Sequence, residues 1–440
     1  MFRRIIQISI SVVLLAILAV VVLTTHSSTA DYPETLDTHL QSISREPHPA
    51  GSAAHDEVRD YILEHVPSEY QVEVQTFNEA GIEFENIFAY LDRGFDSTRM
   101  VSVHYDSVPI SFGAGDAGTA VASALTLLPE WQEAELSTNL LVAFVDGEEG
   151  YLVLDGEAID TPAEEVELDR FFESASLEQL EHYYKHTQRE EGIFTGSRYF
   201  VDTYNGRYGE IEYLFNFEAR GTGGRLILFE ALNVPARTVA LWSRLLETLT
   251  FSATEIVYGE AGGLEVTDVF EYQRLAGTKI LNFAFIGEVE HYHTPQDTFD
   301  QVDEVSKSST YFAMSRVVTT QIGDSAASVV YYSVGPWVLI LSRYLVYVVS
   351  IASGLYLGWQ LIKRRGSRWL ILPILVLCSV VWLELTLLPV IGAILFALVY
   401  RYRALRKIYP IGQYWFLCIV ILHYTFLATL VTLAGVFSGY

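Results

Sequence analysis

The sequence predicts an α/β domain, a mostly parallel twisted sheet flanked by helices, carried between apolar segments at the two ends of the chain. Three observations predict it. Strand-like and helix-like runs alternate through the middle of the 440 residues, which is the pattern of a parallel sheet covered by helices. Charge is segregated: residues 31–329 hold 53 acidic against 17 basic side chains, a net charge of −36, whereas residues 330–440 hold nine basic residues and one acid, Glu384. Long apolar runs are confined to residues 5–23 and to the last third. The expected division is therefore an anchor or signal over residues 1–30, an α/β domain over 31–326, and an α-helical membrane region over 327–440.

The first apolar run follows Arg3 and Arg4 and is long enough to span a bilayer. Residues 25–30 offer a weak cleavage site, so an uncleaved anchor and a removed signal both fit. Either way the arginines stay in the cytoplasm and the chain from Asp31 is exported.

In the middle, strands are expected at 86–91, 100–104, 140–145, 213–217, 226–229 and 280–286. Helices are expected at 54–65, 119–131, 237–249 and 308–320. Ligands of such sheets bind outside the carboxyl ends of the strands.

Three apolar blocks follow, at 334–362, 369–400 and 414–436. The junctions at 363–368 and 401–407 are basic, which places both in the cytoplasm. The 32-residue middle block then turns back as a hairpin near Leu388-Pro389, or crosses once as a tilted helix. Four or five membrane segments result. Glu384 reads either as a functional intramembrane acid or as a hairpin tip at the far interface. Cys378 and Cys418 both lie in this third, so no disulfide staples the acidic domain. Its charge excludes nucleic acid as a partner and serves solubility or cation capture. The partners expected are the lipid bilayer and the substrate.

Four strand-like runs lead into metal-ligating side chains. Residues 101–103 precede His104-Tyr105-Asp106, and 141–145 precede Asp146-Gly147-Glu148-Glu149-Gly150. Residues 213–217 precede Glu218, and 283–286 lead to His291-Tyr292-His293-Thr294-Pro295. Between the first two lies a glycine-rich turn, Gly113-Ala114-Gly115-Asp116-Ala117-Gly118. Mixed His and carboxylate sets suit zinc with an open position for water. One carboxylate can bridge two metals that share a hydroxide. Of two adjacent glutamates, one can ligate while the other moves protons. Singly these signals are weak, since a lone His-x-Asp or Glu-Glu is mostly structural or surface. Together, at four strand ends, they converge.

The order His104-x-Asp106, Gly115-Asp116, Glu148-Glu149, Glu218 and Tyr292-His293-Thr294-Pro295-x-Asp297-Thr298 resembles the di-zinc aminopeptidases of the MH clan, metallopeptidase family twenty-eight. Residues 47–52, Pro-His-Pro-Ala-Gly-Ser, followed by Val58-Arg59-Asp60-Tyr61, resemble that family's membrane branch, which includes the endoplasmic-reticulum metallopeptidase and the vacuolar membrane protease. The resemblance implies two zinc ions per chain. His104, Asp116 and Glu218 would hold one, and Asp116, Glu149 and His293 the other. Glu148 would be the general base and acid in the hydrolysis of N-terminal residues from peptides. Asp106 would orient a metal-bound imidazole. Arg220 and Tyr292 would hold substrate or the oxyanion, or pair structurally. The catalytic domain would face the periplasm or an organelle lumen.

One departure stands out. In the family a Gly-Ser helix start follows the glutamate pair almost at once. Here residues 151–195 intervene, with twelve acids and three bases. This insertion reads as a lid or specificity wall, or as a solvated excursion. Three rival functions remain: a single-zinc glutaminyl cyclase, a non-catalytic ectodomain and a transporter. Intact ligand sets oppose the first two, and a membrane part with one acid and no repeat opposes the third.

Overall fold

The computed structural model describes residues 32–150, 153–154, 157–158, 193–248, 250–251, 267–323, 329–334 and 337–342. The chain divides into two compact units, one comprising 28–326 with 335–338, the other the remainder.

In the first unit, helix α1 (Glu34–Ile43) buries Leu36, Leu40 and Ile43 along one stripe. Helix α2 (Ala53–His65) starts at Ser52, whose side chain accepts the His55 N–H at 3.2 Å. Strands β1 (Gln71–Glu79) and β2 (Ile82–Leu91) form a hairpin closed by Ala80 and Gly81, both at positive φ as a two-residue turn of the primed type requires. There follow β3 (Ser97–His104), α3 (Thr119–Glu133), β4 (Asn139–Val145), α4 (Thr195–Thr203), β5 (Glu210–Ala219), β6 (Ile227–Leu232), α5 (Ala236–Leu246), a single turn α6 (Val269–Tyr272), β7 (Lys279–Phe285) and α7 (Glu304–Thr319).

The sheet order is β1-β2-β4-β3-β5-β7-β6. The central four strands run parallel, while the β1–β2, β2–β4 and β7–β6 pairs are antiparallel. Every residue of β4 is buried, as expected of a strand covered on both faces. One face packs Met100, Leu141, Leu214 and Ile280 against Phe200 of α4 and Tyr272 of α6. On the other, Trp242 of α5 meets Tyr213 and Phe215 edge-on.

Every expected strand and helix of the α/β domain is present, with shifted ends. Helix α7 begins at Glu304 rather than 308, because Asp303 accepts the Ser306 N–H at 2.6 Å and caps the earlier turn. Helix α5 ends at Leu246 rather than 249, where Glu247 turns left-handed. Strand β1 has no expected counterpart, since only Gln75 and Phe77 of its nine residues are buried.

Residues 329–334 and 337–342 form strands. The second occupies the start of the membrane block expected as a helix at 334–362, and the first ends where that block begins. Val, Tyr, Trp and Ile dominate both runs and favour extended backbone. Among the described residues no helix is long and apolar enough to cross a membrane. The apolar runs at 5–23, 369–400 and 414–436, the basic junctions and Glu384 lie outside the described residues. So does most of the insertion, of which 153–154 and 157–158 pair as two-residue antiparallel strands.

Candidate metal centre

The side chains expected to ligate metal sit where adjacent parallel strands end. His104 closes β3, Glu148 and Glu149 follow β4, Glu218 is next to last in β5, and His293 follows β7. Because β4, β3, β5 and β7 are neighbours in that order, four segments distant in sequence deliver their side chains to one edge. Asp116 comes from the loop ahead of α3, in extended backbone before a cis peptide bond to Ala117. That loop passes so close to its neighbours that a Cβ on Gly115 would lie 2.4 Å from the Gly221 carbonyl oxygen and 2.9 Å from Asp297 Oδ1. Only glycine fits there.

The distances define two triads sharing a carboxylate. His104 Nε2 lies 3.2 Å from Glu218 Oε2 and 3.5 Å from Asp116 Oδ1. His293 Nε2 lies 2.9 Å from Glu149 Oε1 and 3.3 Å from Asp116 Oδ2. Asp116 thus turns one oxygen to each histidine. His104, Asp116 and Glu218 each offer a ligand atom within 4.8 Å of the others, as do Asp116, Glu149 and His293, and also His104, Glu148 and Glu149.

A second layer holds these groups. His104 Nδ1 is 3.1 Å from the Asp106 carbonyl oxygen. The Asp106 carboxylate accepts the backbone N–H groups of Glu148 and Glu149 at 3.1 and 3.0 Å. Asp297 accepts the N–H groups of Gly115 at 2.5 Å and Asp116 at 3.2 Å. His55 and Asp146 form a buried pair at 2.9 Å, and Asp146 also accepts the Glu85 N–H at 2.8 Å. Asn216 donates to Glu218 Oε1 at 2.9 Å.

Electrostatics follow from crowding acids out of water. Burial, with the charges of Glu149 and Glu218, pushes the Glu148 carboxyl well above its ordinary range. Burial, then the nearby Asp116, takes Glu149 to about 7 even against His293. Asp116 is held below the ordinary range by His104 and His293 despite its burial. His293, half-buried, rises to about 9 beside Glu149 and Asp116 although its desolvation alone would lower it. Asp268, buried near Glu218, rises to about 8, and burial lifts Asp297 to about 7.

All seven residues expected at the metals and their support (His104, Asp106, Asp116, Glu148, Glu149, Glu218 and His293) are brought together. Arg220 and Tyr292 lie beside them, with the Arg220 guanidinium 5.0 Å from the Tyr292 ring centroid and bonded to its hydroxyl. Sequence reasoning assigned no role to His48, His55, Asp146, Asp268 or Asp297. Asp297 had a signal, standing four residues past His293, and the histidines lay in or beside a segment already singled out. Asp268 had none, since no ligand neighbours it in the chain.

The donor set fits zinc. It offers two imidazoles and three carboxylates in two triads with one shared carboxylate. His104 Nε2 is buried and makes no hydrogen bond, an open donor that a cation between Asp116 and Glu218 satisfies.

A family model described as Peptidase family M28 matches residues 86–318. The chain is 37% identical over 134 residues to a vacuolar membrane protease of Schizosaccharomyces japonicus, covering 26% of this chain and 16% of that protein. It is 22% identical over 336 residues to the vacuolar membrane protease of Meyerozyma guilliermondii, covering 67% of this chain and 29% of that protein. For the one from Candida albicans the figures are 26% over 307 residues, 66% and 31%. The chain therefore spans less than a third of the length of these relatives. Among solved structures it is similar to a leucine aminopeptidase precursor from Bacteroides thetaiotaomicron, at 14% identity and a TM-score of 0.49, covering 67% of this chain and 99% of that one. It is also similar to a glutaminyl cyclase from Tannerella forsythia, at 17% identity and a TM-score of 0.48, covering 66% and 98%.

Proposed function

From the premise that the chain belongs to peptidase family M28, we propose that it is a membrane-anchored aminopeptidase using two zinc ions to remove N-terminal residues from peptides. The observation that carries this reading is the placement of Asp116, with its two oxygens 3.5 and 3.3 Å from His104 and His293. A carboxylate so shared is what a two-metal site needs and a one-metal site does not.

When bound, zinc supplies Lewis-acid polarisation of the scissile carbonyl and acidifies a water. His104 and Glu218 hold one side of the site, Glu149 and His293 the other, and Asp116 joins them. Glu148, buried and ligating neither triad that contains Asp116, takes the proton from the attacking water and returns it to the leaving amine. Asp106 holds the turn that aims it. The names of the relatives and the apolar runs support a membrane-bound protein with residues 31–326 outside the cytoplasm, facing a periplasm or organelle lumen.

The test is metal content together with hydrolysis of an aminoacyl-amide panel by the full-length protein. Two zinc ions per chain and chelator-sensitive release of N-terminal residues are expected. One tightly held zinc, with N-terminal glutamine cyclised and nothing hydrolysed, supports the glutaminyl cyclase reading instead. Metal-free protein with no turnover supports a non-catalytic ectodomain.

A further inference from the structure

Arg220 stands beside Asp116, Glu148, Glu149 and Glu218, all of whose charges act on it. Yet it pairs with none of them: among the described residues no carboxylate oxygen comes within ion-pair distance of its guanidinium, whereas Arg59, Arg198, Arg207 and Arg274 each hold an acid. Its Nε is buried and makes no hydrogen bond. Nη1 donates to the Tyr292 hydroxyl.

Both residues are anchored. The Arg220 N–H donates to the Phe285 carbonyl at 2.9 Å, extending the β5–β7 ladder past the ligand Glu218. The Tyr292 ring stacks on His293 at 3.7 Å between centroids. The guanidinium is therefore held between one candidate ligand of each triad by a neutral hydroxyl and its ring, with no carboxylate of the described residues in direct ion-pair contact. A half-buried arginine with an unused donor beside a reaction centre is suited to bind an anion, through charge-assisted and bidentate hydrogen bonds. The acids of the site answer metal and ammonium. Arg220 answers the opposite charge.

We propose that Arg220, steadied by Tyr292, binds a carboxylate of the substrate and makes this site selective for peptides that carry one close to the scissile bond. Two sources fit the same chemistry: the free C-terminus of a dipeptide, or an acidic side chain on the N-terminal residue. This inference rests on the aminopeptidase reading.

The test uses full-length, zinc-loaded protein and two matched substrate pairs. Leucyl-glycine against leucyl-glycinamide probes the terminal carboxylate, and glutamyl against glutaminyl anilide probes the side chain. In one pair the carboxylate member is expected to have a kcat/KM at least about tenfold higher, the scale of one hydrogen bond to a charged group. Arg220→Met should bring that ratio to near one, and Arg220→Lys should keep part of it. The pair that responds names the source. Equal turnover of both members of both pairs by the unaltered protein overturns the inference and leaves the peptidase reading standing. So does an Arg220→Met variant that slows both members alike. Should neither pair be hydrolysed at all, the peptidase reading fails and this inference with it.

Discussion

Asp106 Oδ1 accepts the backbone N–H of Glu148 at 3.1 Å. Its other oxygen takes the next N–H, that of Glu149, at 3.0 Å. One buried carboxylate thus sets the turn that carries both glutamates, while its own backbone carbonyl faces His104 Nδ1. Asp106→Ala removes the clamp and takes the partner from one buried and one part-buried N–H group. We expect kcat to fall about 10- to 100-fold, the usual cost of losing support behind a metal ligand, with zinc affinity lowered as well. Steady-state kinetics and zinc titration check this. A variant with unchanged kcat and unchanged zinc affinity would falsify the clamp.

The adjacent glutamates should separate by role. Glu148→Gln keeps a side chain of the same shape but no base, so both metals should stay while kcat drops by about 10²- to 10⁴-fold. Glu149→Gln should weaken one metal site first, because Glu149 Oε1 lies 2.9 Å from His293 Nε2. Metal analysis of the two purified variants decides it. Loss of metal from the first and retention by the second would reverse the assignment.

Chelation should lower the unfolding temperature, and two equivalents of zinc should restore it, since ions that bind only the folded state stabilise it. Asp116→Asn should impair both sites together, whereas Glu218→Gln should impair one. The check is elemental analysis alongside thermal unfolding. Independent loss of one ion from Asp116→Asn counts against a shared carboxylate.

His48 gives the fold an acid limit. It is 2% exposed, and burial holds its pKa at about 4 against the ordinary 6.5, even with Nδ1 bonded at 2.9 Å to the Glu46 carbonyl oxygen. The folded protein keeps it neutral where the unfolded chain protonates it. Its contribution is therefore fully present above about pH 6.5 and is lost as pH falls from there toward 4, amounting to about 3 kcal/mol. His48→Gln should flatten that limb relative to the unaltered protein in denaturation curves taken between pH 7 and 4.5. Parallel curves would show that other groups set the limit.

Topology is tested with single cysteines at Ser68, Ser367, Ala404 and Gly439 in a chain lacking Cys378 and Cys418. An impermeant thiol reagent applied from the exported side should label Ser68 and Gly439 positions only. Labelling at 404 without 439 means that block 369–400 crosses once. Labelling at 68 from the cytoplasmic side puts the site in the cytoplasm.

The candidate ligands other than Asp116 were legible in the sequence because each ends or follows a short apolar run, a local signal that needs no knowledge of neighbours; Asp116 was marked by its glycine-rich turn. His104 and Glu218 stand directly after residues that read as buried strand, Glu148-Glu149 two residues further on, and strand ends are where such sheets bind. Strand β1 was not legible, because a half-exposed edge strand buries too few side chains to mark itself. The insertion at 151–195 was visible only as an interruption.

By itself the sequence determined the α/β order, the segregation of charge and the residue types at each strand end, all of them properties of neighbours along the chain. Tertiary structure decided which of those ends are adjacent, through the order β4-β3-β5-β7, and so which carboxylate is shared. It alone made Asp297 a brace for Gly115, 182 residues away, and Asp106 a clamp for Glu148, 42 residues away. It alone set Arg220 beside four acids yet, among the described residues, in ion-pair contact with none. Hydrogen bonds and charge pairing depend on distances of a few ångströms across the fold, which the spacing of residues along a chain does not encode.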